Sequence, residues 1–346
     1  MKLKYLAAVI LLMLSSCSAR SDEKIIEEKI EIENNPPIVT EEQKTPEEIE
    51  LPEETEIEIS KEEKYELKIC SYLPVSSFKE EMLTNGTFEL LDEITLNTGC
   101  YWLASGELEI KPNLIETINK IQEKFPELRI YCTINPKKNA ASAIYSENQR
   151  KILIENMIKF KDENNLYGID IDWEFPTENE WEYFSNFIAE AAEEGLNFSL
   201  AFYPSDVKLS EKAIKSAEKI NIMAYDLFDD EGKHSTYEAA ENAVKYFIEL
   251  GFEKKQLSLG IPAYGRPLNA AASWPFYSDF AEELVNGENL IGENYFNSPQ
   301  LASDKTVFAA EEKLDSVFLY HIGCDLAGND EKSLLNSISK SLEYSK

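Results

Sequence analysis

The pattern of apolar and polar positions along this chain changes character near residue 65. Beyond it, short apolar runs alternate with stretches whose apolar residues recur every three or four positions. The runs cover residues 67–73, 93–98, 129–134, 167–174, 198–203, 220–225, 257–262 and 317–322, and they predict eight strands. Between them, 114–125, 147–160, 181–192, 237–250 and 332–342 carry the 3.6-residue period of amphipathic helices. This alternation predicts parallel βαβ units, and residues 66–346 come close to the roughly 250 residues of one barrel. The predicted fold class is therefore α/β, a (βα)8 TIM barrel. A doubly wound sheet is the alternative; it calls for a Gly-x-Gly-x-x-Gly phosphate loop after a strand, and no strand here is followed by one.

Upstream of the change the pattern is different. Lys2 and Lys4 precede the apolar run Tyr5 to Leu14, which is too short for a comfortable membrane span, and Leu14-Ser15-Ser16-Cys17 follows. This fits a bacterial lipoprotein signal peptide over 1–16 with Cys17 lipidated after cleavage. From Ser21 to Tyr65 there are 17 acidic residues against 5 lysines, prolines at 36, 37, 46 and 52, and no aromatic before Tyr65. Such a stretch cannot build a core, and residues 17–65 are expected to form a disordered, self-repelling linker behind the lipidated cysteine. The expected location is the cell envelope, lipid-anchored at the outer membrane or cell surface; in a diderm host, Ser18 rather than Asp after the cysteine favours the outer membrane.

The formal net charge is −31. With no basic patch, that excludes nucleic acid as a partner. Apart from Cys17 the cysteines are Cys70, Cys100, Cys132 and Cys324, in no zinc spacing, and only His234 and His321 are available as imidazole ligands. No metal or other cofactor is implied. Cys70 and Cys324 fall on the first and last strands, neighbours in a closed barrel, yet free buried thiols are the commoner outcome.

Candidate chemistry concentrates in Tyr167-Gly-Ile-Asp-Ile-Asp-Trp-Glu-Phe-Pro176. In an extended strand Asp170, Asp172 and Glu174 face one way, with Ile169, Ile171 and Trp173 on the other face. Three unpaired buried carboxylates are prohibitively costly, so the acid face is expected to open to water or substrate. Crowding of like charges is expected to raise the pKa of Glu174, nearest the strand's end, and to suit it to general-acid work.

Asp-x-Asp-x-Glu after Gly-x, followed by an aromatic residue and proline, resembles the catalytic signature of glycoside hydrolase family 18, the chitinases and their relatives. The resemblance implies that the signature ends the fourth barrel strand, with Glu174 as the acid, Asp172 its partner and Asp170 the inner carboxylate that steadies Asp172. Asn221-Ile-Met-Ala-Tyr-Asp226 is similar to the family's Met-x-Tyr-Asp; it implies that Tyr225 contacts the acetamido carbonyl, that Asp226 binds the same sugar and that Met223 lies beside them. Leu257-Ser-Leu-Gly-Ile-Pro-Ala-Tyr-Gly-Arg266 resembles Gly-x-Pro-x-Tyr-Gly-Arg, which implies that Tyr264 and Arg266 shape the cleft wall. Three positions depart from the family pattern: Tyr167 stands where Asp is usual, Tyr320 where a Trp floors the sugar, and Thr133-Ile-Asn-Pro136 where Ser-x-Gly-Gly is common. The segment 270–298 lies where many members insert a small α+β domain and looks too short for it; its Trp274, Phe276, Tyr277 and Tyr295 form a candidate sugar-stacking edge.

Together these imply a monomeric glycosidase that hydrolyses β-1,4-linked N-acetylglucosamine polysaccharides or oligosaccharides of the chitin type. The implied mechanism is retaining and substrate-assisted, since no second carboxylate is identified for direct attack. Peptidoglycan and the N-glycan core remain alternative substrates for an endo-β-N-acetylglucosaminidase. A catalytically silent carbohydrate-binding surface protein on the same barrel is the alternative from a different class.

Overall fold

The structure, a computed structural model of the 346-residue chain, describes residues 65–285 and 287–343. All of these fall within one compact unit, Glu62–Lys346. The expectations for the signal peptide, Cys17 and the acidic linker lie outside the described residues.

Eight parallel strands form the barrel: β1 Lys68–Pro74, β2 Glu93–Trp102, β3 Arg129–Pro136, β4 Gly168–Ile171, β5 Phe198–Phe202, β6 Lys219–Ile222, β7 Leu257–Pro262 and β8 Ser316–Tyr320. Neighbours pair in chain order, and β1 pairs with both β2 and β8, which closes the sheet. The connecting helices are α1 Pro112–Lys124, α2 Glu147–Glu163, α3 Trp181–Glu193, α4 Glu211–Ser216, α5 Tyr237–Glu249, α6 Pro299–Glu311 and α7 Leu334–Glu343. The first crossover has short 3₁₀ turns in place of an α-helix. Polar side chains start the helices as expected of N-caps: the Ser146, Thr236 and Ser298 hydroxyls accept from the amides of Gln149, Ala239 and Leu301.

Strand-facing apolar residues such as Ile169, Ile171, Leu200, Ile220 and Leu259 are fully buried, as strands covered by helices require. At the strands' N-terminal end the buried Glu93 carboxylate meets Lys219, with Lys68 and Arg129 at 3.7 and 3.5 Å. Tyr167 sits at this same end, exposed, with Arg129 over its ring at 5.3 Å; its departure from the family pattern is remote from the mouth where the acids gather. The four cysteines described are buried and free, so Cys70 and Cys324 do not pair.

Two sequence expectations are corrected. Strands were expected to run to Glu174 and Tyr225, but β4 stops at Ile171 and β6 at Ile222. The residues that carry the chemistry have left the ladder at the barrel mouth, where the backbone is free of pairing and side chains from several strands can converge. Helices α4 and α6 were not anticipated. The first is a turn and a half long; the second turns Lys305 and Thr306 fully inward, which breaks the apolar stripe that marks a helix. The segment after β7 forms a small antiparallel sheet of Arg266–Pro267, Asn294–Tyr295 and Leu290–Ile291 with a one-turn helix, Ala281–Leu284.

Candidate active site

Asp170 is fully buried, which corrects the expectation that all three acids share an open face. It is paired instead. Its Oδ1 accepts from Ser199 Oγ at 2.6 Å, Tyr72 Oη at 3.1 Å and Asn221 Nδ2 at 3.1 Å, and its Oδ2 from Thr133 Oγ1 at 2.8 Å. These donors come from β5, β1, β6 and β3, and Thr133, Asp170 and Ser199 stand in register across three strands. Burial raises the Asp170 pKa and the four hydrogen bonds oppose it. Asp170→Ala would leave the buried hydroxyls of Ser199, Thr133 and Tyr72 without their acceptor, while Asn221 Nδ2 keeps the Tyr72 hydroxyl at 2.8 Å. A loss of about 3–5 kcal/mol is expected, read as a lower Tm and denaturation midpoint; an unchanged midpoint overturns the steadying role.

Asp172 and Glu174 follow β4 as the chain leaves the sheet. The Oδ1 of Asp172 is buried and has no hydrogen-bond partner. Burial, then the charges of Glu174 and Asp170, push its carboxyl well above the usual range, with Asn135 opposing. Glu174 is exposed as a residue, although its carboxyl is partly enclosed. That enclosure raises its pKa, as does the Asp226 charge, while a hydrogen bond from Asp172 pulls it down. Both carboxyls are thus pushed above their ordinary range, and the hydrogen bond between them runs from Asp172 to Glu174. Glu174 is raised in the direction the sequence reading expects, but by enclosure rather than by crowding along the strand, and Asp172 acts against it; the stronger effect on Asp172 comes from its deeper position. Trp173, on the opposite side, packs edge-on against Trp102 and Phe184 at 5.9 and 5.3 Å and anchors the segment.

The acids open onto a cavity of about 150 Å³ lined by Tyr72, Asp172, Glu174, Ala201, Tyr203, Met223, Tyr225, Asp226, Tyr264, Arg266, Trp274 and Tyr320. Tyr225, Asp226, Met223, Tyr264, Arg266, Trp274 and Tyr320 are thus brought together with Asp172 and Glu174. Tyr320 stacks on Tyr225 with ring centroids 5.2 Å apart and planes at 27°. Burial and neighbouring tyrosines push the Tyr225 phenol well above its ordinary value, which keeps it a hydrogen-bond donor. Asp226 has a left-handed backbone, φ 58°, and its two oxygens take Nε and Nη2 of Arg266 at 2.7 Å each. Arg266 also lies over the Tyr264 and Trp274 rings, at 5.0 and 5.8 Å.

The candidate stacking edge separates. Trp274 lines the cavity, Phe276 is partly exposed beside it, and Tyr277 and Tyr295 are packing residues; Tyr277 is fully buried and donates to the Lys332 carbonyl at 2.6 Å. Tyr72, Tyr203, Ser199 and Asn221 were not anticipated. Ser199 and Asn221 did carry a signal, each being a small polar residue inside an apolar strand. A larger cavity of about 670 Å³ lies at the other end of the barrel, beside the starts of β1 and β2, away from the strand ends where barrel chemistry resides.

A closed (βα)8 barrel with a hydrogen-bonded acid pair in an aromatic cavity at its C-terminal mouth defines the class: a barrel of the glycoside hydrolase type. The chain belongs to glycosyl hydrolases family 18, whose family model matches residues 52–325. Human chitinase-3-like protein 2 is 24% identical over 200 residues, 46% of this chain and 51% of that protein, so the chain spans about half the length of this relative. The GH18 chitinase ChiB from the chitin utilization locus of Flavobacterium johnsoniae aligns with TM-score 0.71 and 19% identity, covering 82% of this chain and 96% of that one. Human YKL-39, described as a pseudo-chitinase with retained chitooligosaccharide binding properties, aligns with TM-score 0.67 and 19% identity, covering 80% and 100%.

Proposed function

We propose that this protein hydrolyses β-1,4-linked N-acetylglucosamine chains by a substrate-assisted, retaining mechanism. The observation that carries the reading is the placing of Asp172 and Glu174 together in the aromatic cavity with Tyr225 and Asp226, Glu174 at the exposed mouth and both carboxyls pushed above their ordinary range. The sugar's acetamido oxygen, hydrogen-bonded by Tyr225, attacks C1. As the C1–O bond breaks, the proton of the pair passes from Asp172 to Glu174 and from Glu174 to the leaving oxygen. Asp172, now bearing charge, faces the N–H of the oxazolinium ion and stabilises it. Water then attacks C1 from the face the leaving group vacated, and the Glu174 carboxylate takes up its proton. Asp226 and Arg266 hold the same sugar and Tyr320 supplies its floor, a flat face smaller than the usual Trp and bearing a hydroxyl.

Release of reducing ends from chitin, peptidoglycan and N-glycan-core substrates in parallel tests the reading. Cleavage of the chitin-type chain is expected. Binding of chito-oligosaccharides with no release from any substrate supports instead the silent, carbohydrate-binding reading, which the pseudo-chitinase relative makes a concrete second possibility.

The protein is further proposed to act at the cell envelope, tethered through a lipid on Cys17. Cys17→Ala is expected to move it from the membrane fraction to the soluble fraction, since the variant lacks the thiol that would carry the lipid. Continued sedimentation of the variant with membranes rejects the tether.

A further inference from the structure

Behind Asp226 lies a histidine that the proposed reaction does not use. His234 is fully buried, and its Nε2 is 3.0 Å from the Tyr295 carbonyl oxygen. A carbonyl only accepts, so Nε2 carries a proton and Nδ1 of the neutral ring is bare. That Nδ1 has no hydrogen-bond partner and faces Oδ1 of Asp226 at 3.6 Å. Two acceptors therefore oppose each other in a buried place, although the same Oδ1 already takes Arg266 Nε on its other side.

The ring cannot turn away easily. Tyr264 stacks on it with centroids 5.6 Å apart and planes at 28°. Lys305 Nζ donates to Ser235 O at 2.6 Å, Ser235 Oγ at 2.9 Å and Asn297 Oδ1 at 2.6 Å, pinning the adjoining residue to α6. Of the groups that face the ring, Asp226 and the Tyr295 carbonyl favour a second proton. Burial, Lys305 and Arg266 oppose it and hold the imidazole down at about 4, so the free protein keeps Nδ1 bare at neutral pH.

Sugar seated on Asp226 displaces water from that carboxylate, and in the drier pocket the opposition of lone pairs grows costlier. A single proton between Nδ1 and Oδ1 relieves it and adds a charge-assisted N–H to the ligands of Asp226. We propose that His234 is a positioning residue for Asp226 and that the two share one proton when sugar is bound. This rests on the reading of Asp226 as a sugar ligand.

The chain has only two histidines, so ¹⁵N spectra of the imidazoles are assigned with His234→Gln alone. Glu174→Gln protein, in which the amide stands in for the protonated acid, is saturated with chitotetraose at pH 7, binding being established first by calorimetry. The expected result is a bare Nδ1 in the free protein and a protonated Nδ1 in the complex. An Nδ1 that stays bare in the complex, or is already protonated without sugar, overturns the shared proton. Absence of chitotetraose binding overturns the carbohydrate reading and this inference with it. Two variants on the wild-type background test positioning. His234→Gln keeps a donor for Tyr295 and loses Nδ1, so KM is expected to rise about tenfold with kcat within about twofold; His234→Asn returns a nitrogen to the Nδ1 position and is expected to recover most of that loss. Equal impairment of both, or a His234→Gln KM within about twofold of wild type, overturns the positioning role.

Discussion

Glu174→Gln is expected to reduce kcat on chito-oligosaccharides by roughly 100- to 10,000-fold, the range that general-acid catalysis contributes, while affinity changes little. The amide keeps the carboxyl's shape and loses its transferable proton. No neighbour can substitute. Asp170 is fully buried and saturated by four hydrogen bonds, and the inner oxygen of Asp172 is enclosed, which leaves Glu174 as the acid at the exposed mouth. The swap also removes one member of a coupled pair, so the remaining carboxyl of Asp172 loses the Glu174 charge that raises its pKa. Turnover within about tenfold of wild type would refute the assignment of the acid, whatever the substrate proves to be.

A fully deacetylated chain is expected to remain uncut under conditions that consume its acetylated counterpart. The carboxylates of the cavity are already committed: Asp172 lies behind Glu174, and both oxygens of Asp226 are held by Arg266 at 2.7 Å. With neither of these carboxylates free to attack C1, the proposed nucleophile is the substrate's own acetamido group. Early product seen by NMR should accordingly retain the β configuration. A thiazoline mimic of the oxazolinium ion should inhibit more tightly than substrate binds, as transition-state-like geometry requires. Rapid hydrolysis of the deacetylated chain, or an inverted early product, refutes substrate assistance and leaves the barrel and the acid standing.

Much of this site was legible in the residues. Period-two spacing marked Asp170, Asp172 and Glu174 as a unit, and the resemblance to the motifs of family 18 marked Tyr225, Asp226, Tyr264, Arg266 and Tyr320, all but Asp170 of which line the cavity. These are local signals: a strand's alternation fixes which side chains share a face, and the order of runs fixes which strands neighbour one another. The distinction between Trp274, which lines the cavity, and Tyr277, which is buried beneath it, was not legible, because both are aromatic residues in one irregular loop and only packing separates them.

What the tertiary structure alone decided is how charge is shared around the acids. Asp170 survives burial because closure of the barrel brings Tyr72, Thr133, Ser199 and Asn221 to it from four strands, at separations of 98, 37, 29 and 51 residues along the chain. His234 meets Asp226 because Lys305, from a helix 70 residues further on, secures Ser235. Strand pattern determined which carboxylates would stand near the mouth; register across the closed sheet and the packing of distant loops determined which of them are paired, which are pushed above their ordinary range and which face the cavity, since hydrogen bonds and charges act through space at a few ångströms regardless of separation along the chain.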